Sequence, residues 1–185
     1  NKGGVARRAI MVEGIRKENP NTLLLDAGDI FQGTPYFNYF GGEIEFKLMS
    51  LLKYDAATLG NHDFDNSIEG FHKQLPNASF DFVCANYDFK NTVLDTLVKP
   101  YKIFFKDGIK IGVFGLGIEL LNLVSPDLYK ETKYLNPLEI AQDISRELKE
   151  KKACDLIICL SHLGYQYMDS QKVSDLKLAA ATKNI

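Results

Sequence analysis

The chain has 185 residues, 45% hydrophobic and 25% charged, with a formal net charge of -2. That is ordinary globular composition, long enough to bury a core without staples, and it sets disorder aside as the main description. No basic footprint points to nucleic acid or an anionic membrane, and no apolar run reaches the roughly 20 residues of a transmembrane segment.

Both ends read as cuts in a longer chain. The first residue is Asn1 with no signal-like apolar stretch, and residues 179–185 carry no C-cap or turn signal. Apolar residues recur at three and four positions over 5–15, which predicts a helix ended by Asn19-Pro20-Asn21. Residues 22–25 form a short continuous apolar run, the mark of a strand buried on both faces, and lead into Asp26-Ala27-Gly28-Asp29. A helix is expected over 44–52. A second short strand over 56–59 runs into Gly60-Asn61-His62-Asp63. Next come a helix over 67–75, opened by an Asn66 or Ser67 cap, and a third strand over 80–84 followed by Ala85-Asn86.

The pattern then changes. Residues 101–105 and 109–114 flank Asp107-Gly108, the strongest short hairpin signal, so the sheet is not purely parallel. Asn136-Pro137-Leu138-Glu139 opens a helix that should run to about Lys151. A buried strand over 155–160 ends in Ser161-His162, and a last helix is expected over 169–181. Strands alternating with helices, with one hairpin inserted, define an α/β fold with a mixed sheet. The three cysteines, Cys84, Cys154 and Cys159, read as small buried hydrophobes, and their spacing is not that of a zinc site. Gly112, Gly115 and Gly117 begin inside a strand and do not make a dinucleotide loop.

In open α/β sheets, ligands bind outside the carboxyl ends of the strands. Those ends carry Asp29, Asn61 with His62, Asn86 and His162. Taken singly, Asp29 and Asn86 also read as turn residues, His162 as a structural histidine, and His72 as a mid-helix surface residue. Together, carboxylate, amide and imidazole at one sheet edge suit metal binding.

Gly60-Asn61-His62-Asp63 resembles the Gly-Asn-His-[Asp/Glu] signature of the calcineurin-like metallophosphoesterases, and the string through Phe64-Asp65 is similar to their 5'-nucleotidase branch. Residues 26–33, Ser161-His162-Leu163-Gly164-Tyr165 and Gly3-Gly4-Val5-Ala6-Arg7 resemble further blocks of that branch, in the same order. The resemblance implies a metallophosphatase-like αββα sandwich with mixed sheets, incomplete here. It also implies two divalent metal ions, of which Zn, Mn, Fe and Mg all suit such ligands. It makes Asp29 the carboxylate that bridges both ions. Asn61 becomes a ligand of the second ion that also contacts phosphate, and His162 another ligand of that ion. His62 becomes the group that stabilises the transition state or protonates the leaving oxygen, with Asp65 rather than Asp63 as its partner.

The family's Asp-x-His motif, which should precede Gly3, and its Gly-His-x-His motif, which should follow Ile185, are absent from the chain. The 185 residues are therefore expected to be a single partial catalytic domain. The activity implied is hydrolysis of a small phosphate ester, a nucleotide, by a metal-activated water. A C-terminal substrate-specificity domain in the same or a separate chain and a periplasmic or cell-surface location are implied with it. The competing expectation is a non-catalytic scaffold with an incomplete metal site. Specificity is expected to sit in that further domain or in loops such as 31–40, which holds Phe31, Tyr36, Phe37 and Tyr39.

Overall fold

The structure, a computed structural model, describes residues 3–169 and 171–185. Helix α1 (Val5–Glu18) starts after Gly4 and closes with the Asn19 N–H on the Ile15 carbonyl. Strand β1 (Leu25–Asp26) follows, then helices α2 (Pro35–Phe40) and α3 (Glu43–Leu51), strand β2 (Ala56–Ala57), helix α4 (Ser67–Gln74) and strand β3 (Asp81–Phe82). These three strands form a parallel sheet in the order β1-β2-β3, with Leu25 opposite Ala56 and Asp26 opposite Ala57. Each crossover is helical, as parallel pairing requires.

Strand β4 (Tyr87–Asp88) comes next, then β5 (Tyr101–Lys106) and β6 (Ile109–Leu116). The last two form the expected antiparallel hairpin. Its turn residues Asp107 and Gly108 both have positive φ, 49° and 79°, which matches the right-handed twist of the flanking strands. After the short helix α5 (Pro126–Tyr129), strand β7 (Lys133–Tyr134) pairs antiparallel with β4. Helix α6 (Pro137–Arg146) follows and continues into a single π-type turn over Glu147–Lys151. Strand β8 (Leu156–Ser161) then pairs parallel to β6, giving a mixed sheet in the order β5-β6-β8, and α7 (Asp175–Ala181) ends the chain.

The two larger sheets meet where β6 passes the segment just after β3. The Ala85 N–H bonds the Gly115 carbonyl at 2.8 Å, and a Cβ at Gly115 would strike the Val83 carbonyl oxygen and the Thr58 side chain. The Gly112/Gly115/Gly117 pattern thus serves close packing of strands. Inside the parallel-sheet half, Phe31, Phe46, Phe71 and Phe82 form one aromatic cluster, with ring centroids 4.9 Å apart for Phe31–Phe46 and for Phe71–Phe82. Cys84 and Cys154 are buried free thiols, and burial pushes the Cys84 thiol up to about 12.

Several expectations need correction. Residues 22–25 are less deeply buried than expected: Leu24 packs on one apolar cluster and Leu23 and Leu25 on another, yet all three stay half-buried in the edge strand β1. Ala56 and Ala57 on the central strand are the fully buried pair. The last helix starts at Asp175, not 169. Asp169 instead bonds the Gln171 N–H at 2.8 Å in a local turn, and Ser174 caps the helix; Ser170, within the expected span, lies outside the described residues. The loop over 31–40 contains α2, and its signals were visible: Thr34 accepts from the Phe37 N–H, Pro35 stands at the first turn, and Gly41 closes it at φ 60°.

The Asn136 cap is fully formed. Its Oδ1 accepts from the Leu138 N–H at 3.0 Å and the Glu139 N–H at 3.4 Å. Asn136→Ala should cost about 1 kcal/mol and lower Tm by about 2–4 °C in a thermal melt.

Candidate metal centre

The first loop leaves β1 at Asp26, whose Oδ1 accepts the Gly28 N–H at 3.0 Å. Gly28 and Asp29 then take successive positive φ values of 94° and 60°. Asp tolerates this region better than most residues, yet some contact must hold it there. That contact comes from the second loop, which leaves β2 through Gly60-Asn61 into one 3₁₀ turn over His62–Phe64.

Asp63 in that turn is fully buried. Its Oδ2 accepts from the Gly60 N–H (2.8 Å) and the Asp29 N–H (3.0 Å). Its Oδ1 accepts from the Ile30 N–H (2.9 Å) and the Phe31 N–H (3.1 Å). Burial pushes the Asp63 carboxyl up to about 7, while the amide donors of Gly60, Phe31 and Asp29 pull the other way. Phe64, fully buried beside it, anchors the turn in the core.

The two loops also meet through side chains. The His62 N–H donates to Asp29 Oδ1 at 3.0 Å. The His62 ring turns the other way, with Nδ1 2.8 Å from Asp65 Oδ2. Asp65, not Asp63, is thus the carboxylate paired with His62. With a proton on Nδ1 shared with Asp65, Nε2 is the ring atom left to face a ligand.

The third loop follows β8. His162 Nδ1 lies 2.7 Å from the Ala27 carbonyl oxygen, to which it can only donate, so Nε2 is the nitrogen that can ligate. That Nε2 is 3.2 Å from Asp29 Oδ2. Burial alone would favour the neutral imidazole, but the Asp29 carboxylate and the Ala27 carbonyl outweigh it and raise the His162 pKa. Burial likewise opposes charge on Asp29, and bonds from His162 and the His62 N–H outweigh it and lower its pKa.

Such closeness needs missing side chains. A Cβ on Gly28 would sit 2.5 Å from the Gly60 nitrogen and 2.9 Å from the Leu59 carbonyl carbon. A Cβ on Gly60 would overlap Asp29 Oδ1 and lie 2.7 Å from His162 Cε1 and Nε2.

Asp29, His162, His62 and, through its position between Gly60 and His62, Asn61 therefore share one corner of the sheet edge. The Asn61 side chain makes no hydrogen bond within the described residues, so its carbonyl oxygen is available as a donor atom. Asn86 is not part of this corner. It is fully buried and braces Gly117, donating from Nδ2 at 2.8 Å and accepting on Oδ1 at 2.7 Å. His72 lies exposed on α4.

A carboxylate, an amide oxygen and an imidazole nitrogen oriented by a backbone carbonyl fit a divalent transition metal. They fit it in part: among the described residues no group of three His, Cys, Asp or Glu side chains converges tightly enough to hold an ion. Asp29 also borders a cavity of about 590 Å³ lined by Arg8, Asp26, Tyr36, Glu45 and Leu48. Of the five aromatics in residues 31–40, Phe31 and Phe37 are buried in the core, Tyr36 lines this cavity, and Tyr39 and Phe40 are exposed.

Two features of the centre escaped sequence reasoning. The Asp63 carboxylate as a fourfold acceptor shows only as an Asp between His62 and a core Phe. The Ala27 carbonyl carries no sequence signal at all.

This fold and this corner place the chain in a known class: it belongs to the calcineurin-like phosphoesterase family, whose sequence pattern matches residues 2–181. It is 38% identical over 167 residues to a 5'-nucleotidase of Vibrio cholerae, covering 88% of this chain and 30% of that protein. Among solved structures it resembles a 5'-nucleotidase precursor of Thermus thermophilus, with TM-score 0.82 and 38% identity over 88% of this chain and 32% of the other. It also resembles the NAD nucleotidase of Haemophilus influenzae, with TM-score 0.80 and 29% identity over 97% of this chain and 40% of the other. The chain thus spans less than half the length of each of these relatives.

Gly60→Ala places a methyl group against Asp29 and His162 in a backbone region that alanine accepts. The variant should fold, with its affinity for Mn²⁺ lowered about tenfold or more in a calorimetric titration. Wild-type affinity would show that the two side chains need not approach so closely.

Proposed function

We propose that the chain is part of the catalytic domain of a metal-dependent phosphohydrolase acting on nucleotides. The reading rests chiefly on one observation: loops from three strands deliver Asp29, His162 and the His62–Asp65 pair to one corner of the sheet edge. Asp29, Asn61 and His162 would hold divalent ions. Bound ions of this kind lower the pKa of water and neutralise phosphate charge.

The chain's own residues divide the remaining work. Asp29 is fixed from both sides, by the His62 N–H and by His162. Ala27 sets the His162 tautomer. Asp65 holds the His62 ring so that Nε2 can donate to a phosphoryl or leaving oxygen as negative charge grows there. Zn, Mn, Fe and Mg are all compatible with this donor set. A nucleotide substrate, a further substrate-specificity domain and a periplasmic or cell-surface location belong to the same proposal, supported by the 5'-nucleotidase relatives. No helix among the described residues is long and apolar enough to cross a membrane.

In the complete gene product, His62→Ala should cut kcat by about 10²–10⁴-fold and leave metal stoichiometry unchanged. Asp65→Asn should give a smaller loss in the same direction. Steady-state kinetics on a nucleoside monophosphate, with metal content measured alongside, checks both. Full activity in His62→Ala would sink the assignment.

The partial ligand set favours a second reading for the 185 residues in isolation, that of a folded scaffold without activity. Calorimetric titration with Mn²⁺ or Zn²⁺ decides it: tight uptake of two equivalents by the isolated chain rules the scaffold out.

A further inference from the structure

We infer that Asp63 is a positioning residue for metal capture, acting through the backbone of Asp29. The inference rests on Asp29 being a metal ligand. Three successive amides, from Asp29, Ile30 and Phe31, turn inward because Gly28 and Asp29 both have positive φ. Such a concavity of N–H groups is a natural anion site. Here the anion site is filled from within the chain, by a carboxylate on the neighbouring loop.

The arrangement couples two ligands that belong to different strands. Asp63 Oδ2 accepts from Asp29 and from Gly60, the residue before Asn61, so one oxygen atom ties both ligand-bearing loops together. The loop carrying Asp63 in turn gives the His62 N–H to Asp29 Oδ1, which fixes the direction of the carboxylate. Without Asp63, an aspartate at φ 60° would relax toward ordinary backbone and carry its side chain away from His162. The ordering of Asp29 is thus completed before any cation arrives, and the cation need not supply it.

No conservative substitution preserves all four bonds. In Asp63→Asn only one oxygen remains to accept, so two of the four amides lose their partner. In Asp63→Glu the charge survives but the carboxylate moves by one methylene.

The test is titration of the complete gene product with Mn²⁺ alone, with folding checked by thermal melts. For Asp63→Asn and Asp63→Glu, Mn²⁺ affinity should fall by about 10–100-fold. The activity lost should return as Mn²⁺ is raised, with KM for the nucleotide unchanged at saturating metal. A folded variant that binds Mn²⁺ within twofold of wild type overturns the inference.

Asp29→Asn, which keeps a residue tolerant of this backbone, serves as control. If it also binds like wild type, the ligand assignment itself has failed. If it loses binding while the Asp63 variants do not, only the role of Asp63 has. Should neither Asp63 variant fold, amide hydrogen exchange on the metal-free wild type decides. Slow exchange at Asp29, Ile30, Phe31 and Gly60 supports preorganisation, and protection that appears only with Mn²⁺ overturns it.

Discussion

Two loops that leave neighbouring parallel strands must touch with no side chain between them. The register of β1 on β2, Asp26 opposite Ala57, starts both exits at the same height. Gly28 and Gly60 then let backbone meet backbone, and a Cβ at either position would collide with the other loop or with the site. Everything that follows depends on that approach. It brings Asp63 under the amides of Asp29, Ile30 and Phe31. It brings the His62 N–H to Asp29, and it leaves room for His162 to close the third side.

The electrostatics of the corner follow from crowding. Asp26 ends β1, and Asp29 and Asp63 lie on the two loops that meet beyond it. Burial raises the Asp26 carboxyl, relieved by the Gly28 N–H and by Arg8. Burial raises Asp63 as well. Asp29 alone is held low, because His162 and the His62 N–H outweigh its burial. Of the three carboxylates, Asp29 is therefore the one whose charged form its surroundings favour most. The other two are spent on backbone amides, and this division of labour among like residues suits the edge of a sheet to cations.

Much of this was legible in the residues. Continuous apolar runs ending in polar residues located the strand exits, and Asp107-Gly108 located the hairpin, because the period of hydrophobicity and turn chemistry are local properties. The short strands β4 and β7 were not legible. Their pairing is tertiary, and Tyr87-Asp88 and Lys133-Tyr134 carry no alternation of their own. The half-burial of 22–25 was misread for a related reason, since an apolar run does not say whether its strand has a neighbour on each side. At the centre, a motif named Asp29, Asn61, His62 and His162. It was silent on the Ala27 carbonyl and on the fourfold use of Asp63, which are matters of backbone conformation.

Helix α2 is closed at one end by Thr34 with Pro35 and at the other by Gly41. Phe37 fastens its inner face to the aromatic core, where it stacks on Phe31 with centroids 5.2 Å apart. Tyr36 and Tyr39 project outward, 64% and 85% exposed. A short segment pinned at three points can exchange its outward residues without disturbing the loop that carries Asp29. The fold thereby separates what can diverge from what must stay: the rim of the cavity is free to drift toward new ligands, while the chemistry one turn below is held still.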